Sequence, residues 1–278
     1  MKNSIPEQSV IMATYNENSR FLKTCIDSIL HQTFQDFEFI IVVEPGEKNV
    51  ELLEELTTKN NRVKILRNES WLGVAASRNR AIKESSGKYI AIVDGDDYCD
   101  LRRFEKQIRF LESHPEVNVV GSNMFLVDEN DNISGERRYP EMHKDIKKAF
   151  LLTMAVANPA VMMRRRDIEE VGFFDNNFYK AEDFELWLRF LANKKIMHNL
   201  QENLVYYRIP SNHNEKRHSI HWKNNFIARK RYSKFIWPFY RRLFSMSFYY
   251  ITSKIPDRFL NDLFNIQIVN RIRNIRMN

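Results

Sequence analysis

The segment Lys88-Tyr-Ile-Ala-Ile-Val-Asp-Gly-Asp-Asp97 decides the fold of this chain. Its apolar part, Tyr89 to Val93, is short, rich in β-branched residues and bounded by polar residues, which predicts a buried strand. The strand ends in three carboxylates, Asp94, Asp96 and Asp97. Like charges repel each other unless a cation lies among them, so a metal–diphosphate site is favoured over an ordinary solvated turn. Hard oxygen ligands suit Mg²⁺ or Mn²⁺.

Short apolar runs and helical patterns alternate along the chain before this segment. Strands are predicted at Ser9–Ala13, Phe37–Val43 and Val63–Leu66. Helices are predicted after Asn18, around Val50 to Leu56, and from Val74 to Ser85. Four strands alternating with three helices predict βαβ units and a mainly parallel sheet, so the fold class is α/β.

Polar residues follow each predicted strand. Ligands of such sheets bind at the carboxyl ends of the strands, so these residues are expected along one rim. They are Thr14, Tyr15, Asn16, Glu44, Asn68 to Gly73 and Asp94 to Asp97. Gly95 has no Cβ, which permits a tight turn and close approach by a ligand. The chain has only 7 glycines, and neither a dinucleotide fingerprint nor a P-loop follows the first strand, which argues against an NAD enzyme or a P-loop kinase.

Three motifs together resemble the successive motifs of family 2 glycosyltransferases. They are Val10-Ile-Met-Ala-Thr-Tyr-Asn-Glu17, Asn68-x4-Gly73-x4-Arg78-Asn79 and Tyr89-Ile-Ala-Ile-Val-Asp-Gly-Asp-Asp97. Their order and spacing match, and the resemblance covers roughly residues 8 to 214. It implies a GT-A fold, a Rossmann-like, mostly parallel mixed sheet flanked by helices, and a nucleotide-diphosphate sugar donor. The donor-binding residues that it implies are Thr14, Tyr15, Asn16, Glu17, Glu44, Asn68, Gly73, Arg78, Asp94, Gly95 and Asp96.

The turn after the second strand departs from the family pattern. The family usually has an Asp-Asp-Gly-Ser type turn there, where an acid meets the nucleobase, and this chain has Glu44-Pro45-Gly46-Glu47. Glu44 keeps an acid in place on a longer arm, while Pro45 removes a backbone donor and stiffens the turn. The resemblance implies a UDP-sugar as the donor.

A second acidic centre lies in the segment from Ala181 to Arg189. Its periodicity predicts an amphipathic helix with Trp187 in the core, and acids at a helix N-terminus also favour the helix dipole. The resemblance implies instead that this is the catalytic acid motif, with Asp183 as the base and Glu182 beside it.

The resemblance also implies a divalent cation, Mn²⁺ or Mg²⁺. Its candidate ligands are Asp96, Asp94, Asp97 and His213. The family often has a histidine after a late strand, predicted here at Leu204 to Arg208, and His213 lies further along than the common position.

The segment between the two acidic centres is assigned to the acceptor side. A helix is predicted after Asp100, strands at Val117–Gly121 and Phe125–Val127, and a helix within Tyr139–Leu152. A strand follows Pro159, and the basic run Arg164-Arg165-Arg166 is expected to be either a solvated helix start or a contact to phosphate or acceptor.

Charge divides the chain unevenly. Residues 215–278 contain 14 Lys and Arg against 3 Asp and Glu, whereas residues 1–214 contain 29 against 33, within a total of +7. We therefore predict a glycosyltransferase domain over 1–214, with a nucleotide-binding half (1–97) and an acceptor half (98–214), and a basic, aromatic helical tail over 215–278. Two cysteines, no secretory leader and no run of 18 apolar residues predict a cytoplasmic protein without a membrane span.

Basic and aromatic residues are mixed between positions 229 and 254. Such mixtures are typical of the membrane interface, so we expect peripheral contact with the inner face of the plasma membrane. The alternatives are that these aromatic residues pack on the body or on a second subunit, which leaves an oligomer open.

The function implied is inverting, metal-dependent transfer of a sugar to a hydroxyl of a glycan or lipid-linked acceptor. One base, one metal and no protein nucleophile imply single displacement. A sugar-nucleotidyltransferase would need a glycine-rich basic loop where Ala13-Thr-Tyr-Asn16 stands. A nucleic-acid binder would use the basic tail, but the acidic balance of residues 1–214 opposes it, and no nucleic acid is expected as a partner.

Overall fold

The computed structural model describes residues 5–58, 60–209, 219–254 and the backbone of 275–277. The strands are β1 (Gln8–Thr14), β2 (Phe37–Val43), β3 (Val63–Arg67), β4 (Tyr89–Val93), β5 (Tyr98–Cys99), β6 (Val117–Val127), β7 (Ile133–Arg137), β8 (Met162–Arg164), β9 (Ile196–Arg208) and β10 (Ile275–Met277). The helices are α1 (Ser19–Leu30), α2 (Val50–Thr57), α3 (Val74–Glu84), α4 (Arg103–Ser113), α5 (His143–Ala149), α6 (Arg165–Val171), α7 (Glu182–Ala192), α8 (Ser219–Ile236) and α9 (Phe239–Thr252).

One mixed sheet runs through the molecule in the order β10-β7-β6-β8-β4-β1-β2-β3. Strands β1 to β4 are parallel, with Ile11 of β1 level with Ile40 of β2 and Ile92 of β4. Their alternate side chains enter cores on opposite faces of the sheet, so both faces of β1 and β4 are buried. The predicted α/β fold is confirmed, and the carboxyl ends of β1, β2 and β4 lie side by side.

The acceptor half extends the sheet with both antiparallel and parallel strand pairs. β8 is antiparallel to β4 and to β6, while β6 pairs with β7 antiparallel and with β9 parallel. The structure differs here from the sequence predictions in extent: β6 is one strand through Val117–Val127, α5 covers only His143–Ala149, and β9 begins at Ile196.

The basic run at the end of β8 starts a helix, α6, and two of its three arginines point into the fold. Arg164 is buried and donates to the carbonyl oxygens of Val117 (2.9 Å) and Leu111 (2.7 Å). Arg165 donates to the carbonyl oxygen of Gly87 (2.6 Å). These two arginines hold backbone carbonyls inside the fold, whereas Arg166 is exposed in the first turn of α6. The expectation of a solvated helix start is therefore correct for Arg166 alone, and a contact of the run with phosphate or acceptor stays a prediction.

The two C-terminal helices pack on the body. Arg229 of α8 is fully buried, donates to the carbonyl oxygen of Phe150 (3.0 Å) and lies between the rings of Phe184 and Tyr249. Trp237 donates to a carbonyl oxygen of α5 (3.0 Å). The described part of the tail therefore covers α7 and the segment after α5, and the domain division near residue 214 stays a prediction. No helix in the described ranges is long and apolar enough to cross a bilayer.

Candidate active site

The three carboxylates after β4 lie close enough to influence one another. Asp97 is buried, and its Oδ1 accepts a hydrogen bond from the backbone N–H of Arg208 (2.9 Å). Burial, followed by repulsion from Asp96 and Asp94, raises the pKa of Asp97 well above its usual range. Its Oδ2 is enclosed and accepts no hydrogen bond from the residues that the structure describes.

Gly95 brings this acidic tip against the loop after β1. A Cβ added at Gly95 would lie 3.3 Å from both Thr14 Oγ1 and Glu17 Cγ, closer than most side chains tolerate. The neighbour that approaches this glycine is thus the β1 loop, and close approach by a ligand stays a prediction.

The loops after β1 and β2 are joined by hydrogen bonds. Asn16 adopts a left-handed backbone (φ 54°), a conformation that asparagine accepts more readily than most residues. Its N–H donates to Glu47 Oε2 (2.7 Å), and its Oδ1 accepts from the N–H of Lys48 (2.8 Å). Glu47 was not selected from the sequence, because its partner lies 31 positions away.

Two exposed aromatic side chains stand over these loops. Tyr15 and Trp71 meet edge to face with ring centroids 4.6 Å apart, and they are 41% and 58% exposed. Tyr15 reaches over Gly46, and Trp71 lies beside Gly73. Trp71 lies between Asn68 and Gly73, inside one of the family motifs. A large aromatic residue at that place in the motif is the sequence signal by which Trp71 could have been selected.

Glu44 is fully engaged within the protein. Its Oε1 accepts hydrogen bonds from Gly73 N–H (2.8 Å) and Ser77 Oγ (2.7 Å), and its Oε2 accepts from Leu72 N–H (3.1 Å). Burial raises the pKa of this carboxyl, but these bonds and one from Asn68 outweigh burial, so the pKa is lowered. Glu44 holds the loop at the start of α3, and its contact with a nucleobase stays a prediction.

Arg78 joins the two acidic centres. It is buried, and its guanidinium donates to Asp94 Oδ1 (2.6 Å) and to Glu182 Oε1 (3.3 Å). Burial lowers the pKa of this guanidinium, but attraction from Asp94, Glu182 and Asp183 outweighs burial, so the pKa is raised and Arg78 stays charged. A motif residue on α3 thus brings together carboxylates that are 88 positions apart in the sequence.

Glu182 and Asp183 begin α7, as predicted, and Trp187 is completely buried. Burial raises the pKa of both carboxyls, and repulsion from Asp183 adds to the rise at Glu182. Asp183 Oδ1 accepts a hydrogen bond from the N–H of Phe184 (2.6 Å). No described residue bonds its Oδ2, so this oxygen is available to take a proton from a bound hydroxyl.

A cavity of about 580 Å³ opens beside these acids. Asp94, Arg78, Glu182 and Asp183 form one part of its wall. The rest is mostly apolar and includes Trp222 of α8 with side chains of α9. The C-terminal helices were predicted as a separate tail, and their contribution to this wall was not foreseen.

The carboxylates after β4 fit a divalent cation chemically. Their oxygens are hard ligands, the enclosed Oδ2 of Asp97 lacks a partner among the described residues, and a cation would relieve the repulsion that raises the pKa of Asp97. The described side chains do not include three His, Cys, Asp or Glu groups already gathered around one metal position. His213, the fourth predicted ligand, lies outside the described residues.

Comparison with known proteins identifies the class. The model of glycosyl transferase family 2 matches residues 9–173, so the chain belongs to this family and is a glycosyltransferase. An uncharacterised glycosyltransferase of Methanocaldococcus jannaschii, MJ1057, is 37% identical over 79% of this chain and 80% of its own length. The O-antigen biosynthesis glycosyltransferase WbnJ of Escherichia coli is 32% identical over 75% of this chain and 82% of its own. The match favours a glycosyltransferase over the two alternative classes considered from the sequence.

Solved structures confirm the GT-A type of fold. The mannosyltransferase PcManGT of Pyrobaculum calidifontis, in complex with GDP-Man and Mn²⁺, superimposes with a TM-score of 0.66 at 12% identity, covering 97% of this chain and 83% of that chain. S. aureus TarS 1-349 in complex with UDP-GlcNAc gives a TM-score of 0.64 at 19% identity, covering 81% of this chain and 66% of that chain.

Proposed function

We propose that this protein transfers a sugar from a UDP-sugar to a hydroxyl of a glycan or lipid-linked acceptor, with inversion at the anomeric carbon. The observation that carries the proposal is the bridge made by Arg78 between Asp94 and Glu182. It fixes the acidic tip of β4 and the acidic start of α7 on one cavity wall, so that donor and acceptor can meet there.

The donor is assigned to the rim formed by the loops after β1, β2, β3 and β4. The exposed faces of Tyr15 and Trp71 offer a surface for the base and ribose, and Glu44 holds the loop that carries Trp71. Asn16, Glu17, Asn68 and Gly73 lie in the same loops. TarS, which shares the fold, is known with UDP-GlcNAc, and this supports a UDP-sugar as the donor.

Asp94, Asp96 and Asp97 are the residues that would hold Mn²⁺ or Mg²⁺ together with the diphosphate. The cation would supply positive charge against the charge that develops on the leaving diphosphate. The Mn²⁺ complex of PcManGT supports this assignment.

Asp183 is proposed as the general base. Its Oδ2 faces no competing donor among the described residues, and it lines the cavity in which the acceptor hydroxyl would lie. A base that removes the proton of the attacking hydroxyl, without a protein nucleophile, gives one displacement and therefore inversion. Burial raises the pKa of Asp183, and the Arg78 guanidinium limits this rise, which favours the ionised form that a base needs.

The proposal is tested with a donor panel. Purified protein with Mn²⁺ is incubated with UDP-, GDP- and dTDP-sugars, and release of the nucleoside diphosphate is measured. We expect hydrolysis or transfer with at least one UDP-sugar. Release from no UDP-sugar would contradict the assignment of the donor.

Asp96→Asn is expected to raise the Mn²⁺ concentration needed for half-maximal activity at least about tenfold, because a charged ligand of the diphosphate-bound cation is lost. The fold should survive, since the substitution leaves the backbone carbonyl of Asp96, which accepts from Arg208 Nε (3.0 Å), unchanged. The measurement is a Mn²⁺ titration of UDP-sugar turnover with a melting curve. Normal turnover at limiting Mn²⁺ would show that Asp96 is not a ligand.

The product is assigned to surface polysaccharide synthesis. WbnJ, an O-antigen biosynthesis glycosyltransferase, supports this class of acceptor. Such acceptors are often carried on membrane lipids, which gives peripheral membrane contact a purpose.

An exposed apolar surface on α8 and α9 supports this contact. Its members, each more than half exposed, are Phe235, Phe239, Tyr240, Leu243, Phe244, Tyr250 and Ile251. Lys234, Arg241 and Lys254 are exposed among them. Positive charge beside exposed rings matches an anionic lipid surface better than a second copy of this basic chain.

The double change Leu243→Ser and Phe244→Ser is expected to lower binding to anionic vesicles at least about tenfold, because two large apolar side chains leave the lipid. The measurement is flotation with phosphatidylglycerol-containing and neutral vesicles at two salt concentrations. Leu101→Ser, at an apolar side chain of the body that is 51% exposed, is the matched control. Truncation before α8 is unsuitable, since it would uncover α7. Equal flotation of all variants, or of none, would contradict membrane docking.

A further inference from the structure

One arginine in the cavity wall has no acidic partner among the residues that the structure describes. Arg137 ends β7 and is half-buried, and its guanidinium carbon lies 4.9 Å from the ring centroid of Tyr139. Its Nε is enclosed without a hydrogen bond, and no described residue forms an ion pair with it. Other enclosed arginines of the body, such as Arg78, Arg164 and Arg208, all bond carbonyl or carboxylate oxygens. Arg137 therefore offers an unused positive charge to the cavity.

A second polar group of the same wall is unpartnered. Asn158 is only 6% exposed, and its Oδ1 is enclosed without a hydrogen bond from any described residue. A buried amide oxygen without a donor costs free energy, and a ligand hydroxyl would satisfy it. Asn158 and Arg137 line the cavity that also contains Asp183.

Arg137 lies on a different strand from the donor loops, although it lines the same cavity as Asp94. In the sheet, β6 and β8 lie between β7 and β4, and the donor loops follow β4, β1, β2 and β3. The wall near α8 and α9 is aromatic, with Trp222 and Tyr249, and aromatic faces suit sugar rings. The C-terminal helices are fixed there, since His221 bonds the carbonyl oxygen of Lys180 (2.7 Å) just before α7.

We propose that this cavity binds a glycosyl acceptor that carries an anionic group, a phosphate or a carboxylate, and that Arg137 binds this group. Asn158 accepts a hydrogen bond from an acceptor hydroxyl, and the reacting hydroxyl lies at Asp183. The inference rests on the proposed function, because it names the class of acceptor for the same transfer. The acceptor is thereby predicted to be anionic, whereas the sequence did not indicate its charge.

The test uses the full chain saturated with UDP and Mg²⁺, which is diamagnetic and leaves ligand NMR signals sharp. Titrations by ligand-observed NMR compare neutral methyl hexosides with the corresponding hexose 1-phosphates and methyl hexuronides, in the gluco, galacto and manno series. We expect at least one anionic probe to bind about tenfold more tightly than its neutral counterpart. The phosphate and carboxylate probes distinguish the two sources of charge.

Arg137→Gln is expected to remove this preference for charge, while Arg137→Lys keeps part of it because the positive charge remains. Arg138→Gln is the matched control, since Arg138 is the next residue, exposed, and paired with Glu136 (2.8 Å). The affinity of Arg137→Gln for UDP should stay within about twofold of the unchanged protein, because the donor rim lies on other strands.

Three results would overturn the inference: equal affinity for charged and neutral probes, displacement of UDP by the charged probe, or loss of UDP affinity in Arg137→Gln. The last two would make Arg137 a contact of the donor diphosphate. Failure of the proposed function is distinguishable, because the unchanged protein would then neither bind UDP nor release it from a UDP-sugar.

Discussion

Asp183→Asn is expected to lower the transfer rate by about 10²–10⁴-fold, the contribution of a general base. The amide keeps the size of the side chain and can still accept from the N–H of Phe184, so the start of α7 should be preserved. UDP affinity should be unchanged, because the donor rim lies on other elements. The measurement pairs transfer kinetics with calorimetry of UDP binding.

Asp145→Asn is the control for this prediction. Asp145 also stands in the first turn of a helix, α5, but it is exposed and does not line the cavity. Its change should leave transfer and UDP binding as they are. Loss of UDP binding together with transfer in Asp183→Asn would instead give Asp183 a role on the donor side.

Arg78→Gln is expected to have the largest combined effect on stability and activity. It removes the cation between Asp94, Glu182 and Asp183, and breaking a buried ion pair on one side costs about 3–5 kcal/mol. We expect about 3 kcal/mol, near the low end of that range, because the Asp94 side chain is 29% exposed. Chemical denaturation measures this difference, and Lys83→Gln, exposed on the same helix, should change stability little.

The same variant makes a prediction about pH. Arg78 lowers the pKa of both Glu182 and Asp183, so its removal raises both further above their usual values. A base must be deprotonated to act. As the pH is lowered, the residual activity of Arg78→Gln should therefore begin to fall at a higher pH than the activity of the unchanged protein. A pH profile of kcat that keeps its acid limb in place would contradict the coupling between Arg78 and the base.

The donor half could be predicted well from the sequence because its strands are buried on both faces. The runs Phe39–Val43 and Tyr89–Val93 are continuously apolar, and the alternation of such runs with helical patterns predicts the parallel sheet. The part of β9 before Leu204 has no continuous apolar run. It carries polar residues instead, and their hydrogen-bond partners lie far away in the sequence. Asn199, for example, is buried in β9 and donates to the carbonyl oxygens of Pro140 and Ala155.

The place of the C-terminal helices was not predicted for a related reason. The buried face of α8 includes Asn225, Arg229 and Ser233 together with Trp222 and Ile236, so hydrophobic periodicity is weak along it. The composition therefore suggested a separate basic tail, with packing of its aromatic residues on the body only as an alternative. Arg229 contacts Phe150, Phe184 and Tyr249, and these contacts exist only once the chain is folded.

The candidate site could likewise be predicted from the sequence only in part. The motifs placed Asp94, Arg78 and Asp183 on the correct elements, but the bridge through Arg78 needed the structure, since α3 and α7 are far apart in the sequence. The contacts of Glu47, Trp71 and Arg137 depend on loops and strands that meet only in three dimensions.

The most direct test of the proposed mechanism is the anomeric configuration of the first product. An α-linked UDP-sugar that is turned over by the unchanged protein is followed by ¹H NMR, with water or a neutral glycoside as acceptor. Single displacement assisted by Asp183 predicts that the β-anomer appears first and that Asp183→Asn forms it far more slowly. An α-configured first product, or full activity in Asp183→Asn, would contradict the account.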